Sequence, residues 1–109
     1  MNVRLYILQR ATAALMAPLV LIHIAVIFYA SHKGLSAADI LSRTRGSVTW
    51  ALFYGTFVAA IAVHASIGLR TILTEWAGLR GVSRDVVSWG IGLALLLLGL
   101  RAMAAVVLS

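Results

Sequence analysis

Cysteine is absent from this chain of 109 residues, and acidic residues are scarce, with three Asp and Glu against nine Lys and Arg. Without cysteine there are no disulfides, thiolate metal sites, cysteine-ligated iron–sulfur clusters or covalently attached c-type haem. Charged residues make up only 11% of the chain, whereas hydrophobic residues make up 62%. A soluble domain this small could not bury so much apolar surface, so the composition indicates a single membrane domain over residues 1–109.

A net charge of +6 would also suit a nucleic-acid-binding protein. The cations, however, lie at the ends of apolar segments and in the connections between them, and they form no basic stripe with stacking aromatics. Such placement is typical of contacts with lipid headgroups. We therefore expect the lipid bilayer as a partner and no nucleic acid.

Three apolar segments account for most of the chain. Residues 11–30 and 46–69 carry no charge, and residues 86–108 carry only Arg101. About 20 apolar residues are enough for a helix to cross the hydrocarbon layer of a bilayer. The sequence therefore predicts an all-α integral membrane protein, a bundle of three transmembrane helices. The predicted spans are about residues 11–31, 46–71 and 86–108.

Polar residues in the connections predict where two helices begin. Ser36 and Asp39 have the spacing of a capping box, which predicts a short helix at the membrane surface in the first connection. In the second connection, Ser83 and Asp85 are predicted to cap the start of the third span.

Basic residues are unequally divided between the two sides of the predicted spans. Five lie on the side of the N-terminus and three on the opposite side. The positive-inside rule then places the N-terminus in the cytoplasm and the C-terminus outside. We expect a multi-pass protein of the inner (cytoplasmic) membrane of a bacterium. The two groups are Arg4, Arg10, Arg70, Arg80 and Arg84 on the first side, and Lys33, Arg43 and Arg45 on the second.

His64 lies alone among 24 uncharged residues, 46–69. Imidazole is costly in lipid unless something pairs with it, so this histidine is a functional candidate. Gly68 lies one turn further on the same helix face and leaves a gap for a flat ligand or a neighbouring backbone. Arg70 follows where the span ends and can meet an anionic group, so the three residues together suggest a bound haem. A histidine hydrogen-bonded to a Ser, a Thr or a backbone carbonyl of a neighbouring helix is the alternative.

His23 is the other histidine within a predicted span. Arg10 and Arg70 mark the same membrane boundary, and His23 and His64 lie thirteen and six residues from them. At 1.5 Å per residue these separations are about 20 Å and about 9 Å. Two axial ligands of one upright haem need similar depths, so two haem-ligating histidines here would imply two haems, each completed by another chain. A histidine bonded within the bundle is again the alternative.

The segment His64-x-x-x-Gly68-x-Arg70-x-x-x-x-Glu75 resembles a signature of the small membrane-anchor subunits of succinate dehydrogenase and fumarate reductase, the complex II family. In the second helix of those anchors a haem-ligating His is followed by Gly at +4, often by Arg at +6, and by Asp at +11. Here Glu75 replaces that Asp and keeps a carboxylate.

The first span is similar to the same family. The string Gln9-Arg10-Ala11-Thr12-Ala13 resembles the opening of the anchors' first helix, in which the Arg lines the quinone site. The length and the three spans agree as well, so the resemblance covers nearly the whole chain.

The resemblance implies a haem b-binding anchor that is not catalytic alone. Such an anchor tethers a flavoprotein and an iron–sulfur subunit, pairs with a second small anchor, and forms part of a quinone site. One or two haems b would be shared with the partner anchor, and the iron ligands on this chain would be His64 for the proximal haem and His23 for the distal haem. Gly68 and Arg70 would complete the haem site. The quinone residues would be Arg10, Tyr6, Glu75 and Trp76.

The motifs mix features of the two anchor types. Trp76 stands where one type has a quinone-bonding Tyr, and Tyr6 stands where the other type has a Ser. The sequence therefore leaves open which of the two anchors this is, as it does the quinone and the dicarboxylate.

The same residues bear on other classes of membrane protein. A proton-coupled or multidrug transporter needs an acid inside a span, and all three acidic residues lie outside the predicted spans. A subunit of another b-type membrane cytochrome and a small non-haem structural or assembly protein stay open as alternatives.

Overall fold

A computed structural model describes residues 3–108, which form four helices and no strand. In chain order they are α1 (Val3–Lys33), α2 (Ala37–Thr44), α3 (Val48–Glu75) and α4 (Gly81–Val107). The helices α1, α3 and α4 are long and apolar enough to cross a membrane. The predicted all-α bundle of three spanning helices is thus confirmed, whereas the cytoplasmic N-terminus stays a prediction.

The short helix predicted in the first connection is present as α2. The Ser36 hydroxyl accepts a hydrogen bond from the Asp39 backbone N–H at 3.1 Å, and the Asp39 carboxylate accepts one from the Ser36 N–H at 3.0 Å. This reciprocal pair is a complete capping box, so the prediction from the Ser36–Asp39 spacing is confirmed.

The predicted capping of the third span is wrong. Helix α4 begins earlier, at Gly81, and its cap residue Arg80 makes no side-chain capping bond. The Ser83 hydroxyl instead donates to the Arg80 carbonyl at 3.1 Å, and Asp85 forms ion pairs. The reason lies in the turn, where Gly78 and Gly81 adopt φ of 70° and 64°, a conformation that favours glycine and reverses the chain within a few residues.

Helix α3 packs against both α1 and α4. The contacts with α1 follow an antiparallel register. Thr12 meets His64 near one end, and His23 meets Tyr54 and Phe57 towards the other. We call the end with the Thr12–His64 contact the N-terminal end of the bundle; it also contains the turn between α3 and α4. We call the opposite end the α2 end.

Small residues bring α3 and α4 close together. Ser66 and Ser88 are buried, and their hydroxyls donate to carbonyls four residues earlier on their own helices, at 2.7 and 2.8 Å. A Cβ on Gly92 would overlap the Ser66 hydroxyl, and one on Gly99 would lie 2.5 Å from a Val58 methyl carbon. Such close approach is how helices associate where lipid replaces water.

The C-terminal end of α4 is capped by the last residue of α2 and the chain that follows it. The Thr44 hydroxyl donates to the Val106 carbonyl at 2.6 Å, and the Gly46 N–H donates to the Val107 carbonyl at 2.7 Å. The last carbonyls of a helix have no partner within the helix, so these two bonds satisfy groups that would otherwise lie unpaired near the membrane.

Much apolar surface remains uncovered. The accessible surface is 7263 Å², against about 5,800 Å² expected for a soluble monomer of this mass. Large side chains such as Leu21, Phe28 and Leu98 are more than half exposed. Exposed apolar area on this scale needs lipid or other subunits around it.

Candidate functional site

His64 is held between helices by Thr12. The Thr12 hydroxyl oxygen lies 3.1 Å from Nδ1 of His64, and 2.8 and 3.0 Å from the Leu8 and Gln9 carbonyls. A hydroxyl has one hydrogen, and a carbonyl can only accept, so the hydroxyl donates to a carbonyl and accepts from the Nδ1–H of the imidazole. A neutral imidazole that makes this bond through its Nδ1–H has its lone pair on Nε2.

The sequence left open a histidine hydrogen-bonded to a neighbouring helix, and that bond is present. It uses only one ring nitrogen. Within residues 3–108, Nε2 of His64 takes part in no hydrogen bond, and the residue is partly exposed. His64 is therefore both bonded within the bundle and available to a ligand through its other nitrogen.

The gap predicted beside His64 contains a side chain. A Cβ on Gly68 would lie 3.3 Å from Nε2 of Gln9, so the end of the Gln9 amide occupies the space that the glycine leaves, rather than a neighbouring backbone. The amide oxygen of Gln9 is buried and has no hydrogen-bond partner among the described residues. Leaving a buried acceptor unpaired costs about 1–3 kcal/mol, which a polar ligand group could recover.

Arg70 lies in a small charged cluster between α3 and α4. Its Nε and the Nε of Arg84 each lie 3.2 Å from the same Asp85 oxygen. Arg84 also donates to the Thr74 hydroxyl at 3.3 Å. Two guanidinium groups share one carboxylate, so the cluster keeps a net positive charge and can still attract an anion.

The four predicted quinone residues all lie towards the N-terminal end. The Arg10 guanidinium carbon lies 5.4 Å from the centre of the Tyr6 ring, and both residues are exposed. Glu75 is the last residue of α3, and Trp76, which follows, is 84% exposed. The Arg10–Tyr6 pair and the Glu75–Trp76 pair are not joined by an ion pair between Arg10 and Glu75 in the described part of the chain.

His23 lies among aromatic rings of α3. Its ring centre is 5.2 Å from that of Phe57 and 6.2 Å from that of Tyr54. Phe57 precedes His64 by seven residues, which is about 10 Å along the helix. The two histidines therefore lie at different levels of the bundle, as their distances from Arg10 and Arg70 predict.

Sequence reasoning did not single out Thr12 or Gln9 as site residues. Both stand in the string around Arg10, and both lie on the side of α1 that contacts α3. The only signals in the sequence were a Thr and a Gln near one end of an apolar segment. Neither residue type indicates a partner on another helix.

These features define a helical membrane protein with a histidine and an amide held between two spanning helices at one end. A family model described as succinate dehydrogenase/fumarate reductase transmembrane subunit matches residues 1–100. The chain belongs to this family. Neither the curated proteins nor the solved structures gave a match to it.

Proposed function

We propose that this chain is the haem b-binding membrane anchor of a complex of the succinate dehydrogenase or fumarate reductase type. In this role it tethers the flavoprotein and iron–sulfur subunits and forms part of the site at which quinone exchanges electrons. The proposal rests most directly on one observation, the Thr12–His64 hydrogen bond. Family membership favours this role over another b-type cytochrome or an assembly protein.

The residues around His64 fit a haem. A histidine that ligates a metal usually donates its other ring N–H to a fixed acceptor, and Thr12 is that acceptor here. Nε2 would then be the iron ligand, and Gly68, one turn further along α3, leaves a space that only the end of the Gln9 amide enters among the described residues. A haem with two histidine ligands supplies single-electron exchange, since it has no open coordination site.

The fit extends to charge. Haem propionates are anionic, and the cluster of Arg70, Arg84 and Asp85 carries net positive charge one to two turns from His64. The amide of Gln9, with its unpaired oxygen, is a second polar group on the same side of the bundle. Among the described residues His64 is the only histidine of this chain at that level, so a second histidine ligand for the same haem would have to come from the partner anchor.

Arg10 and Tyr6 support the quinone role. Both are exposed at the N-terminal end, where the Arg10 guanidinium can donate a hydrogen bond to a quinone carbonyl and the Tyr6 hydroxyl can donate to the same headgroup. Glu75 is exposed at the same end and can pass protons from water. Trp76 supplies an exposed ring beside it.

The direct test is His64→Ala in the assembled complex. We expect the b-type band of the reduced-minus-oxidised spectrum to be lost for the haem that His64 ligates, while the subunits still copurify. His32→Ala is the matched control, because His32 is exposed near the α2 end and stacks on Phe28. An unchanged spectrum from an assembled His64→Ala complex would overturn the haem assignment.

A further inference from the structure

A cavity lies at the α2 end, away from His64. It has a volume of about 500 Å³ and lies between α1, α2 and the start of α3. Its walls are mostly aliphatic and aromatic side chains, among them Val26, Ile40, Trp50 and Tyr54. We call it the α2-end pocket.

The walls of the α2-end pocket are held in place from several sides. The capping box fixes the start of α2, and the Thr44 hydroxyl ties its end to α4. On α3, the Trp50 and Tyr54 rings stack with centres 5.6 Å apart, and Tyr54 also contacts His23. The opening is therefore part of the folded bundle.

An apolar occupant suits this pocket better than water. Buried waters need two to four polar partners each, and the walls offer few. Hydrocarbon chains would gain from the same surface, at about 25 cal/mol for each Å² removed from water.

One cation lies at the pocket. Arg43 is the only charged residue among the described residues that line it, and its guanidinium carbon lies 5.8 Å from the centre of the Tyr29 ring. Asp39, one turn earlier on α2, does not neutralise it through an ion pair in the described part of the chain. Its carboxylate accepts the Ser36 N–H instead, and these capping bonds from Ser36, with a smaller contribution from the nearby Arg43 charge, hold the pKa of Asp39 below its usual value.

The surrounding charge is also positive. Lys33, Arg43 and Arg45 lie in or next to α2, against the single acid Asp39. An anionic headgroup near Arg43 would meet this excess, and its hydrocarbon tail would reach the apolar walls between α1 and α3. A neutral headgroup would gain only from the walls.

We propose that the α2-end pocket binds one anionic phospholipid, with its phosphate at Arg43 and an acyl chain between α1 and α3. This inference does not rest on haem binding and can be tested whether or not the haem proposal holds.

The test compares lipid retention by the full chain, purified in mild detergent with the subunits that copurify. The protein is incubated with equal amounts of phosphatidylglycerol and phosphatidylcholine and freed of excess lipid, and bound lipid is counted by native mass spectrometry. We expect one retained phosphatidylglycerol for the unaltered protein. Arg43→Gln should reduce its retention at least fivefold, whereas Arg45→Gln, the matched control, removes an equal charge outside the pocket lining and should reduce it less than twofold.

A second variant tests the apolar part of the pocket. Ala30 lines it, so Ala30→Phe fills space without changing charge and should also displace the lipid. The proposal is overturned if Arg43→Gln and Arg45→Gln lose lipid equally, or if Ala30→Phe retains it. It is also overturned if phosphatidylcholine is retained to the same extent as phosphatidylglycerol. Finding a quinone or another subunit in the pocket instead of a lipid would overturn it too.

Discussion

Thr12 and His64 form a side-chain hydrogen bond of 3.1 Å between α1 and α3. Thr12 is buried, and its own hydrogen is directed to a carbonyl of α1. The orientation of the imidazole is thus set by a helix other than its own.

Removing this acceptor should weaken haem binding. Thr12→Val keeps the shape of the side chain but leaves Nδ1 of His64 without its partner, and loss of such a partner typically costs 10–100-fold in metal affinity. We expect lower haem occupancy by pyridine haemochrome assay and a shifted midpoint potential for the remaining haem. Thr12→Ser keeps the hydroxyl and should behave like the unaltered protein. Equal occupancy and potential in both variants would show that Thr12 only packs.

Arg10 should be needed for quinone but not for the dicarboxylate reaction. Arg10→Ala removes the donor that we propose for the quinone carbonyl, so quinone-linked activity should fall by tenfold or more, while activity with a soluble electron acceptor is kept. Arg4→Ala is the control, since Arg4 is also exposed near the start of α1. A parallel fall in both assays would make Arg10 a structural residue.

His23 should ligate a second, distal haem. Pyridine haemochrome assay should give two haems per complex for the unaltered protein and one for His23→Phe. Phenylalanine preserves the ring contacts with Phe57 and Tyr54, so the bundle should stay folded. One haem in the unaltered complex, or two in the variant, would leave His23 with packing alone.

An added side-chain carbon at Gly92 should disrupt the close packing of α3 against α4. In Gly92→Ala the new Cβ would overlap the Ser66 hydroxyl, and we expect a loss of about 1–3 kcal/mol, seen as a lower thermal midpoint by circular dichroism in detergent. Gly90→Ala is the control, because a Cβ there meets nothing within 4 Å. Adding Ser66→Ala to Gly92→Ala should restore much of the midpoint. A drop as large in Gly90→Ala would point to helix propensity or lipid contact instead.

Features that depend on neighbouring residues could be predicted from the sequence. The capping box of Ser36 and Asp39 is local, and so is the length of each apolar segment. The start of α4 was predicted wrongly, because the positive φ of Gly78 and Gly81 decides where the chain turns, and the capping spacing of Ser83 gives no sign of it.

The partners of the site residues depend on the register between helices. Arg70 pairs with Asp85, and Gln9 reaches Gly68, across distances in sequence that no local pattern encodes. His64 could be singled out as a candidate from its own segment, whereas finding Thr12 as its partner required two helices to be placed side by side.

The bonds from Thr44 and Gly46 to the last carbonyls of α4 also bear on the order of assembly. They join residues up to 62 positions apart and connect the end of α2 and the residues just after it to the end of α4. The last carbonyls of the third span therefore stay without these partners until Thr44 and Gly46 are in position. The folding of the end of α4 is thereby coupled to the position of α2. A substitution that disrupts the first connection should therefore also destabilise the third span.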